Sequence, residues 1–375
     1  HRDLHSFPTR RSSDLSNRIA DPRRIPVGTQ LTIPRAMLRS NPTRLVVANF
    51  SGPVEIVAGT YRGGPRKGME VPEGAVIQTG PNGFVSFAGE RGSLATLPSQ
   101  TRARISRARQ YVLNNMLDVE FEILRGRGEF QPPKLQGDDR YRVRTPRATA
   151  AVRGTVFRRS VSESDGLEGT EVIEGTVAMA SGSQAADVPA GFGQTVSAAG
   201  LGAIEDLLPP PALAEPAKVQ TDEALGFTMK PVTGAVGYRL QIARDAGFVD
   251  MVDETSGEGL EQQLAGQPNG NYFVRIRAIA PSRLEGEPET YSFRRQRLGV
   301  AASAEESPLG NGYKFNWNAV GAESALFDFK LWRDGNEAVP LVSELGMDKP
   351  GLILTDLAPG TYYWRVAAVS PGPEG

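Results

Sequence analysis

The sequence predicts a mainly β protein built from several modules, and three observations support this prediction. Glycine (42) and proline (28) are abundant among the 375 residues, so long helices cannot dominate the chain. Short runs of alternating apolar and polar side chains, typical of half-buried strands, are separated by turn-rich stretches. Near the end the pattern repeats with a step of about 90 residues, which suits small antiparallel sandwiches better than a solenoid.

The first residues do not fit this pattern. Residues 1–15 have no apolar periodicity, and Ser6–Leu15 (SFPTRRSSDL) looks like a translated sequencing adapter. We interpret residues 1–15 as an artefactual tail and the chain as a fragment of a longer reading frame, whose export signal is expected upstream. No apolar run approaches the roughly 20 residues that a membrane span needs, so no span is expected in this fragment.

Residues 44–197 are predicted to be all β. Asp118–Leu124 (DVEFEIL) alternates apolar side chains with carboxylates, which predicts one buried and one solvated face. Tyr141–Pro146 (YRVRTP) continues the pattern with outward arginines, and Thr170–Met179 contains a glycine that predicts a bulge or bend. The single helix expected here covers Arg107–Leu117.

Residues 198–221 are predicted to be a proline-rich linker, because Leu207–Pro216 (LLPPPALAEP) favours extended polyproline geometry. Two repeats follow, 222–297 and 300–375. In each repeat a glycine turn precedes two aromatics and an alternating strand, as in NGNYFVRIRAI and PGTYYWRVAAV. The rings are expected to fill a core between two sheets. The second repeat stops directly after this strand, so we expect its last strand to be missing.

The residue inventory limits the possible chemistry. Cysteine is absent, and the two histidines, His1 and His5, lie in the tail that we set aside. This excludes disulfides, Cys/His zinc sites, and catalysis by cysteine or histidine. We therefore expect no catalytic, metal or cofactor site. Oxygen-only calcium binding stays open, although no EF-hand spacing occurs.

The near-zero net charge hides a division along the chain. Residues 16–160 hold 24 Lys and Arg against 11 Asp and Glu, whereas residues 161–375 hold 15 against 30. The basic half favours anionic partners near its surface. Seven arginines of this half form a cluster, and nucleic-acid binding is not expected because aromatics are not interleaved with them. All except Arg153 are interpreted as a solvated strand face. The seven are Arg140, Arg142, Arg144, Arg147, Arg153, Arg158 and Arg159.

The run Val143–Ser160 (VRTPRATAAVRGTVFRRS), followed by EVIEGTVAM and VPAGFGQTV, resembles the FecR domain in the order of its motifs. The earlier runs GAVIQTGPNGFVSF and GSLATLP also match, so the resemblance covers residues 44–197. It implies a β-rich module, a rolled sandwich or short solenoid, of the bacterial envelope. The family is known from regulators that pass siderophore signals across the inner membrane, although those carry a membrane helix ahead of the domain.

The resemblance marks a set of signature residues to which we assign structural roles. They are Thr145, Pro146, Arg153, Gly154, Thr155, Glu174 and Gly175. Because Gly154 has no side chain, we expect another backbone to approach it closely. A buried guanidinium needs a partner, so we predict that Arg153 packs inward and pairs with Glu174 or with loop carbonyls.

Residues 16–35 resemble the C-terminal half of a LysM module, with its closing GTQLTIP. LysM modules bind N-acetylglucosamine-containing glycans such as peptidoglycan. The resemblance implies that the turn Ile25, Pro26, Val27 and Gly28 is one of two binding loops, and we expect weak binding without the other. The repeats 222–297 and 300–375 resemble fibronectin type III or immunoglobulin-like sandwiches, which implies docking or spacing modules.

Three functions are compatible with these observations. The leading hypothesis is a non-catalytic envelope protein, periplasmic or secreted, that is attached to peptidoglycan or another anionic envelope glycan and uses its FecR domain as a scaffold for a protein partner. The first alternative is envelope signal transduction of the FecR type, resembling anti-sigma regulators. The second alternative is a carboxylate-pair glycan hydrolase, with candidate acids Glu120, Glu122, Asp138 and Asp139, although outward carboxylates on a strand are usually just solvated.

Overall fold

The computed structural model describes most of the chain after residue 16. The described residues are 17, 19, 21, 24–152, 154–297, 299–307, 310, 312–321, 325–333 and 335–369, so the predicted tail lies outside them. They form 29 strands and two short 3-10 turns, Arg35–Met37 and Glu90–Gly92, which confirms the mainly β fold class. Among these residues, no helix has the length and apolarity needed to cross a membrane.

The chain folds as two compact units. The first comprises His1–Pro209, Val249–Val252 and Ile279–Glu287, and the second comprises Pro210–Phe248, Asp253–Ala278 and Pro288–Gly375. The short segment Ile279–Glu287 thus belongs to the first unit, although it is far from the rest of that unit in sequence.

Seventeen strands of the first unit form one hydrogen-bonded network. They are β1 (Ser40–Pro42), β2 (Leu45–Ser51), β3 (Val54–Ala58), β4 (Tyr61–Gly63), β5 (Val76–Thr79), β6 (Phe84–Gly89), β7 (Leu94–Leu97), β8 (Arg102–Tyr111), β9 (Leu117–Gln131), β10 (Arg140–Arg144), β11 (Thr149–Val152), β12 (Val156–Val161), β13 (Glu168–Glu174), β14 (Thr176–Ser181), β15 (Gln184–Pro189), β16 (Phe192–Ser197) and β17 (Gly200–Asp206). β17 falls within the range predicted to be linker and pairs with β16.

Strand β9 joins two layers of this network. Its first half pairs with β8 and, in parallel, with β10, and its second half pairs with β7 and β12. Between the halves Gly126 has φ +83°, and a Cβ there would lie 2.6 Å from Cα of Thr101, so the bend requires glycine. Both layers share one core. In this core the ring centroid of Phe130 lies 5.4 Å from the ring centroids of Phe121 and Phe157. This is the arrangement of a rolled sandwich.

The prediction of a helix over Arg107–Leu117 is wrong. β8 runs to Tyr111 and pairs with β9. Its buried side chains include Ala103, Ile105 and Ala108. A register shift after Ile105 changes their spacing from two residues to three, and this spacing imitates a helical period.

The remaining strands form two β-sandwiches, mainly within the second unit, which confirms the fold predicted for the repeats. The first sandwich contains β18 (Leu225–Thr228), β19 (Gly237–Ala243), β20 (Met251–Gly257), β21 (Glu261–Leu264), β22 (Gly270–Ile279) and β23 (Glu289–Arg295). The second contains β24 (Gly299–Glu306), β25 (Gly312–Val320), β26 (Leu326–Arg333), β27 (Val342–Met347), β28 (Gly351–Thr355) and β29 (Tyr362–Val369).

Aromatic side chains that follow the glycine turns help to fill the two sandwich cores. In the first sandwich Tyr272 of β22 stacks 5.8 Å from Phe293, and in the second Trp364 of β29 lies 5.1 Å from Phe315. The sheets are β18-β21 and β20-β19-β22-β23 in the first sandwich, and β24-β25-β28 and β27-β26-β29 in the second. β22 therefore has neighbours on both sides, whereas β29 has only β26 within the described part of the chain.

Candidate interaction site

The FecR-like signature residues that the structure describes lie in the first unit, on β10 to β14 and the turns between them. Thr145–Pro146 begins the turn from β10 to β11, Gly154–Thr155 directly precedes β12, and Glu174–Gly175 lies at the junction of β13 and β14. The structure brings two of these pairs together, because a Cβ on Gly175 would lie 2.6 Å from Cγ2 of Thr155. Gly175 also has φ +77°. Contact and backbone conformation therefore both require glycine here.

Two predictions about the RGT motif have different outcomes. Gly154 has φ +61°, and nothing lies within 4 Å of a Cβ placed on it. Its glycine therefore serves the backbone conformation, and the predicted close approach is wrong. Arg153 lies outside the described residues. Its predicted partner, Glu174, is exposed at the end of β13.

A fully buried guanidinium is found at Arg159 of β12. Its terminal nitrogens donate hydrogen bonds to the hydroxyls of Thr145 and Thr170. Nη2 lies 3.7 Å from the carboxylate of Glu168, and Nη1 lies 3.5 Å from Sδ of Met179. We call these five residues the inner network.

Glu168 is the first residue of β13 and is buried completely. Its carboxylate accepts hydrogen bonds from the hydroxyl of Thr145 and, at 2.8 Å, from the backbone N–H of Arg147. The inner network thus ties β12 and β13 to the turn after β10. Burial lowers the pKa of Arg159 to about 10, and the carboxylates of Glu168 and Glu171 act in the opposite direction. The guanidinium stays charged at neutral pH.

The sequence contained a signal for this network that our arginine assignment missed. Phe157, Arg159 and Val161 alternate along β12, so the strand places them on one face, and all three are buried. Arg158 lies on the opposite face and is nearly buried beside Glu171 of β13, with 3.6 Å between its Nε and Oε2 of the carboxylate. The prediction of a solvated face is therefore wrong for both Arg158 and Arg159.

The carboxylates considered for hydrolysis hold strands together. Glu120 is nearly buried and lies 3.2 Å from Arg142 and 3.8 Å from Arg144, so the prediction that it is solvated is wrong. Glu122 pairs with Arg104 at 3.5 Å. These ion pairs connect neighbouring strands of one layer.

The two aspartates of that proposal differ in environment. Asp138 is exposed. Asp139 accepts backbone N–H groups of Leu117 and Gln136 at 2.8 and 2.9 Å and pairs with Arg91. Burial opposes ionisation of Asp139, but these three donors outweigh it and lower its pKa. A general acid must hold its proton near neutral pH, so Asp139 does not suit that role.

The predicted glycan-binding residues form an exposed turn. All of Ile25–Gly28 is exposed, and the side chain of Val27 is fully so. Thr29 donates its N–H and its hydroxyl to the carbonyl of Pro26 at 3.2 and 2.7 Å. These two hydrogen bonds close the turn and leave an apolar side chain facing solvent.

Comparison with protein families assigns the central part of the first unit. Residues 75–178 match the family described as FecR protein. This range contains the whole FecR signature and every member of the inner network except Met179. The predicted FecR domain is therefore confirmed over residues 75–178. The match includes neither the LysM-like residues nor the sandwiches.

Among solved structures, the chain is similar to a candidate anti-sigma factor from Parabacteroides distasonis, at 17% identity over 35% of this chain and 59% of that chain, with a TM-score of 0.30. It is also similar to a segment of two fibronectin type III domains from chicken tenascin (16% identity, 44% and 93% covered, TM-score 0.22). A third similar structure is native alpha-2-macroglobulin from Escherichia coli, spanning domains MG0-NIE-MG1 (11% identity, 60% and 94% covered, TM-score 0.18). No curated protein matches the chain.

Proposed function

We propose that this chain is part of a FecR-type protein of the bacterial cell envelope, which transmits a signal through protein contacts without catalysing a reaction. The observation that carries the proposal is the family match over residues 75–178. The proposal places the first unit on the outer side of the inner membrane, in the periplasm or beyond, where it meets a protein partner.

The buried charges of the first unit support an interaction role. The inner network fixes the turn after β10 against β12 and β13, and a surface that is already ordered loses little entropy when a partner binds. Glu120, Glu122 and Asp139 are held by arginines, which favours this role over hydrolysis. The two sandwiches supply further surface for docking.

Gene deletion in the source bacterium tests the signalling proposal. If the protein transmits a signal, transcript levels of a discrete set of genes should change several-fold on deletion and return when the complete gene is restored. Cell shape and wall composition should stay unchanged in the same strains. An unaltered transcript profile, under conditions where the gene is expressed, would show that the protein does not signal.

A peptidoglycan-attached scaffold is a second candidate, and the exposed Ile25–Gly28 turn favours it. Purified complete protein should then sediment with peptidoglycan at low salt. Val27→Asp should lower the bound fraction several-fold, because the fully exposed valine would contact the glycan. Leu113→Asp is a matched control, since Leu113 is also exposed but lies in the turn between β8 and β9. Equal binding by both variants would exclude this turn as the attachment site.

A further inference from the structure

The face of the sheet opposite the inner network carries a second set of aligned residues. The strand register places Arg158 of β12 beside Glu171 of β13, and Glu171 beside Gly193 of β16. Arg127 of β9 and Gly169 of β13 both pair with Ser160, which lies two residues after Arg158 on β12. Because side chains alternate along a strand, all five positions share one face. We call Arg127, Arg158, Gly169, Glu171 and Gly193 the outer slot.

The two glycines of the outer slot form a socket for a leucine. A Cβ on Gly169 would lie 3.1 Å from Cδ2 of Leu284, and a Cβ on Gly193 would lie 2.7 Å from Cδ1. Leu284 belongs to the segment Ile279–Glu287 of the same unit and is buried. Any larger residue at either position would displace this leucine, so the socket depends on the absence of two side chains.

The charged residues of the outer slot contact the next residue, Glu285. Its nearly buried carboxylate pairs with Arg127, and its backbone N–H donates to Glu171 at 3.1 Å. Arg158 donates to the carbonyls of Glu285 and Gly286 at 2.6 and 2.8 Å. The slot thus recognises one acidic side chain and three backbone groups in addition to the leucine.

The bound segment keeps its shape through its own hydrogen bonds. The N–H of Ala280 donates to the carbonyl of Leu284 at 3.0 Å, and the N–H of Arg283 donates to the carbonyl of Ala280 at 2.8 Å. This tight turn presents Leu284 and Glu285 side by side. A short stretch of polypeptide is therefore enough to fill the outer slot.

We propose that the outer slot is a recognition site for a partner protein that presents a leucine followed by a glutamate on a tight turn, and that Ile279–Glu287 occupies this site within the chain. A partner with such a turn competes for the glycine socket and for Arg127. The two guanidinium groups favour an acidic partner segment over a basic one. This inference goes beyond the proposed function and does not depend on it, because it concerns binding alone.

Peptide binding to the whole chain tests the proposal. Leu284→Ser together with Glu285→Ser empties the slot, and a fluorescent peptide with the sequence of residues 279–289 (IAPSRLEGEPE) is then titrated. The emptied chain should bind at least about tenfold more tightly than the unsubstituted chain, in which the attached segment competes at high effective concentration. A peptide with Ala and Gln in place of Leu and Glu should bind about tenfold more weakly.

A pair of arginine variants tests how the glutamate is recognised. In the emptied chain, Arg127→Gln should abolish the preference for a peptide carrying Glu over one carrying Gln. Arg125→Gln is the matched control, because Arg125 lies on the same strand with similar exposure and pairs with Glu163. The control should keep the preference. If both variants keep it, Arg127 is not the recognition residue and the proposal is overturned.

Hydrogen exchange supplies a second readout if circular dichroism shows that the emptied chain does not fold. Excess peptide added to the unsubstituted chain should speed exchange at the N–H of Glu285 several-fold, because the displaced segment loses its bond to Glu171. The Ala/Gln peptide should have no such effect. Failure of this readout overturns the proposal, as does failure of a folded emptied chain to bind the peptide. A concentration-dependent dimer that exchanges Ile279–Glu287 would also overturn it, because a second copy would then be the occupant.

Discussion

Arg158 and Arg159 are neighbours in sequence but belong to different buried clusters. The inner network around Arg159 is closed by residues of the adjoining strands and turn, Thr145 and Glu168 among them. Arg158 also pairs with a neighbouring strand through Glu171, yet its two hydrogen bonds to carbonyls reach the distant residues Glu285 and Gly286. The inner network is closed within the sheet and its turn, whereas the outer slot is filled by a separate segment. Arg159 is therefore buried by the adjoining strands and turn, whereas Arg158 is buried partly by a segment that lies far along the chain.

The largest expected effect is a loss of folding stability when the inner network, and not the outer slot, loses its arginine. Arg159→Met should destabilise the first unit by about 3–5 kcal/mol, because it leaves the Glu168 carboxylate buried without its cation. Calorimetry should show a lower melting temperature for the first unit. All three tryptophans, Trp317, Trp332 and Trp364, lie in the second sandwich, so the unfolding transition seen by tryptophan fluorescence should not move.

A double variant distinguishes an unpaired charge from lost packing. Arg159→Met combined with Glu168→Leu should recover much of the loss, because replacing both partners of a buried pair with apolar residues is often close to neutral. If the double variant is as unstable as the single one, packing and the threonine hydrogen bonds dominate the inner network.

Arg158→Met should have a smaller effect, about 1–3 kcal/mol. Its loss removes the cation beside Glu171 and one donor to the carbonyls of Glu285 and Gly286, but water can reach these groups when the segment detaches. The same calorimetric transition measures the loss. A loss equal to that of Arg159→Met would contradict the distinction between the two clusters.

Two glycine variants sharpen the account of the signature residues beside the inner network. Gly175→Ala adds a methyl group 2.6 Å from Thr155 at φ +77°, whereas Gly182→Ala enters open space at φ +56°. Both variants strain the backbone, but only the first overlaps a neighbour. We expect Gly175→Ala to lower the free energy of unfolding by about 1–2 kcal/mol more than Gly182→Ala does. Equal losses would assign the signature glycine to backbone conformation alone.

The smallest expected effect concerns Asp139, whose carboxylate is held largely by backbone N–H groups and belongs to neither the inner network nor the outer slot. Asp139→Asn should cost about 1 kcal/mol at pH 7, because it weakens three charge-assisted hydrogen bonds. The pKa of Asp139 is lower in the folded state than its usual value near 3.8. The stability that the ionised Asp139 contributes to the folded state is therefore complete above its usual pKa near 3.8. This contribution is lost as the pH falls through the lower pKa of the folded state. Urea unfolding of both proteins at pH 7 and pH 3 should show the difference shrinking, and a constant difference would contradict this.

The sequence was sufficient for the fold class and for the FecR domain over residues 75–178. The alternation in Asp118–Leu124 correctly placed Val119, Phe121 and Ile123 in the core. The carboxylates of the same run were misjudged, because Asp118 is fully buried beside Arg142, at 2.8 Å. Local alternation shows which residues share a face, but it does not show whether a later strand will cover that face.

The remaining errors have different origins. The false helix over Arg107–Leu117 came from a bulge that altered the spacing along β8. The outer slot was not foreseen because its occupant, Leu284 with Glu285, lies far along the chain from β12. The sequence gives no local sign of that pairing. In contrast, the alternation of Arg159 with Phe157 and Val161 along the sequence does indicate that Arg159 is buried, whereas the buried arginine was predicted at Arg153.

Strand β9 has a consequence for how the first unit comes apart. One strand of 15 residues hydrogen-bonds to β7, β8, β10 and β12, so neither layer can lose it without exposing the interior of the other. Cooperativity in this unit should therefore be high, with both layers melting in a single step. Its pairings also join distant stretches of chain, so refolding should be slow for a domain of this size.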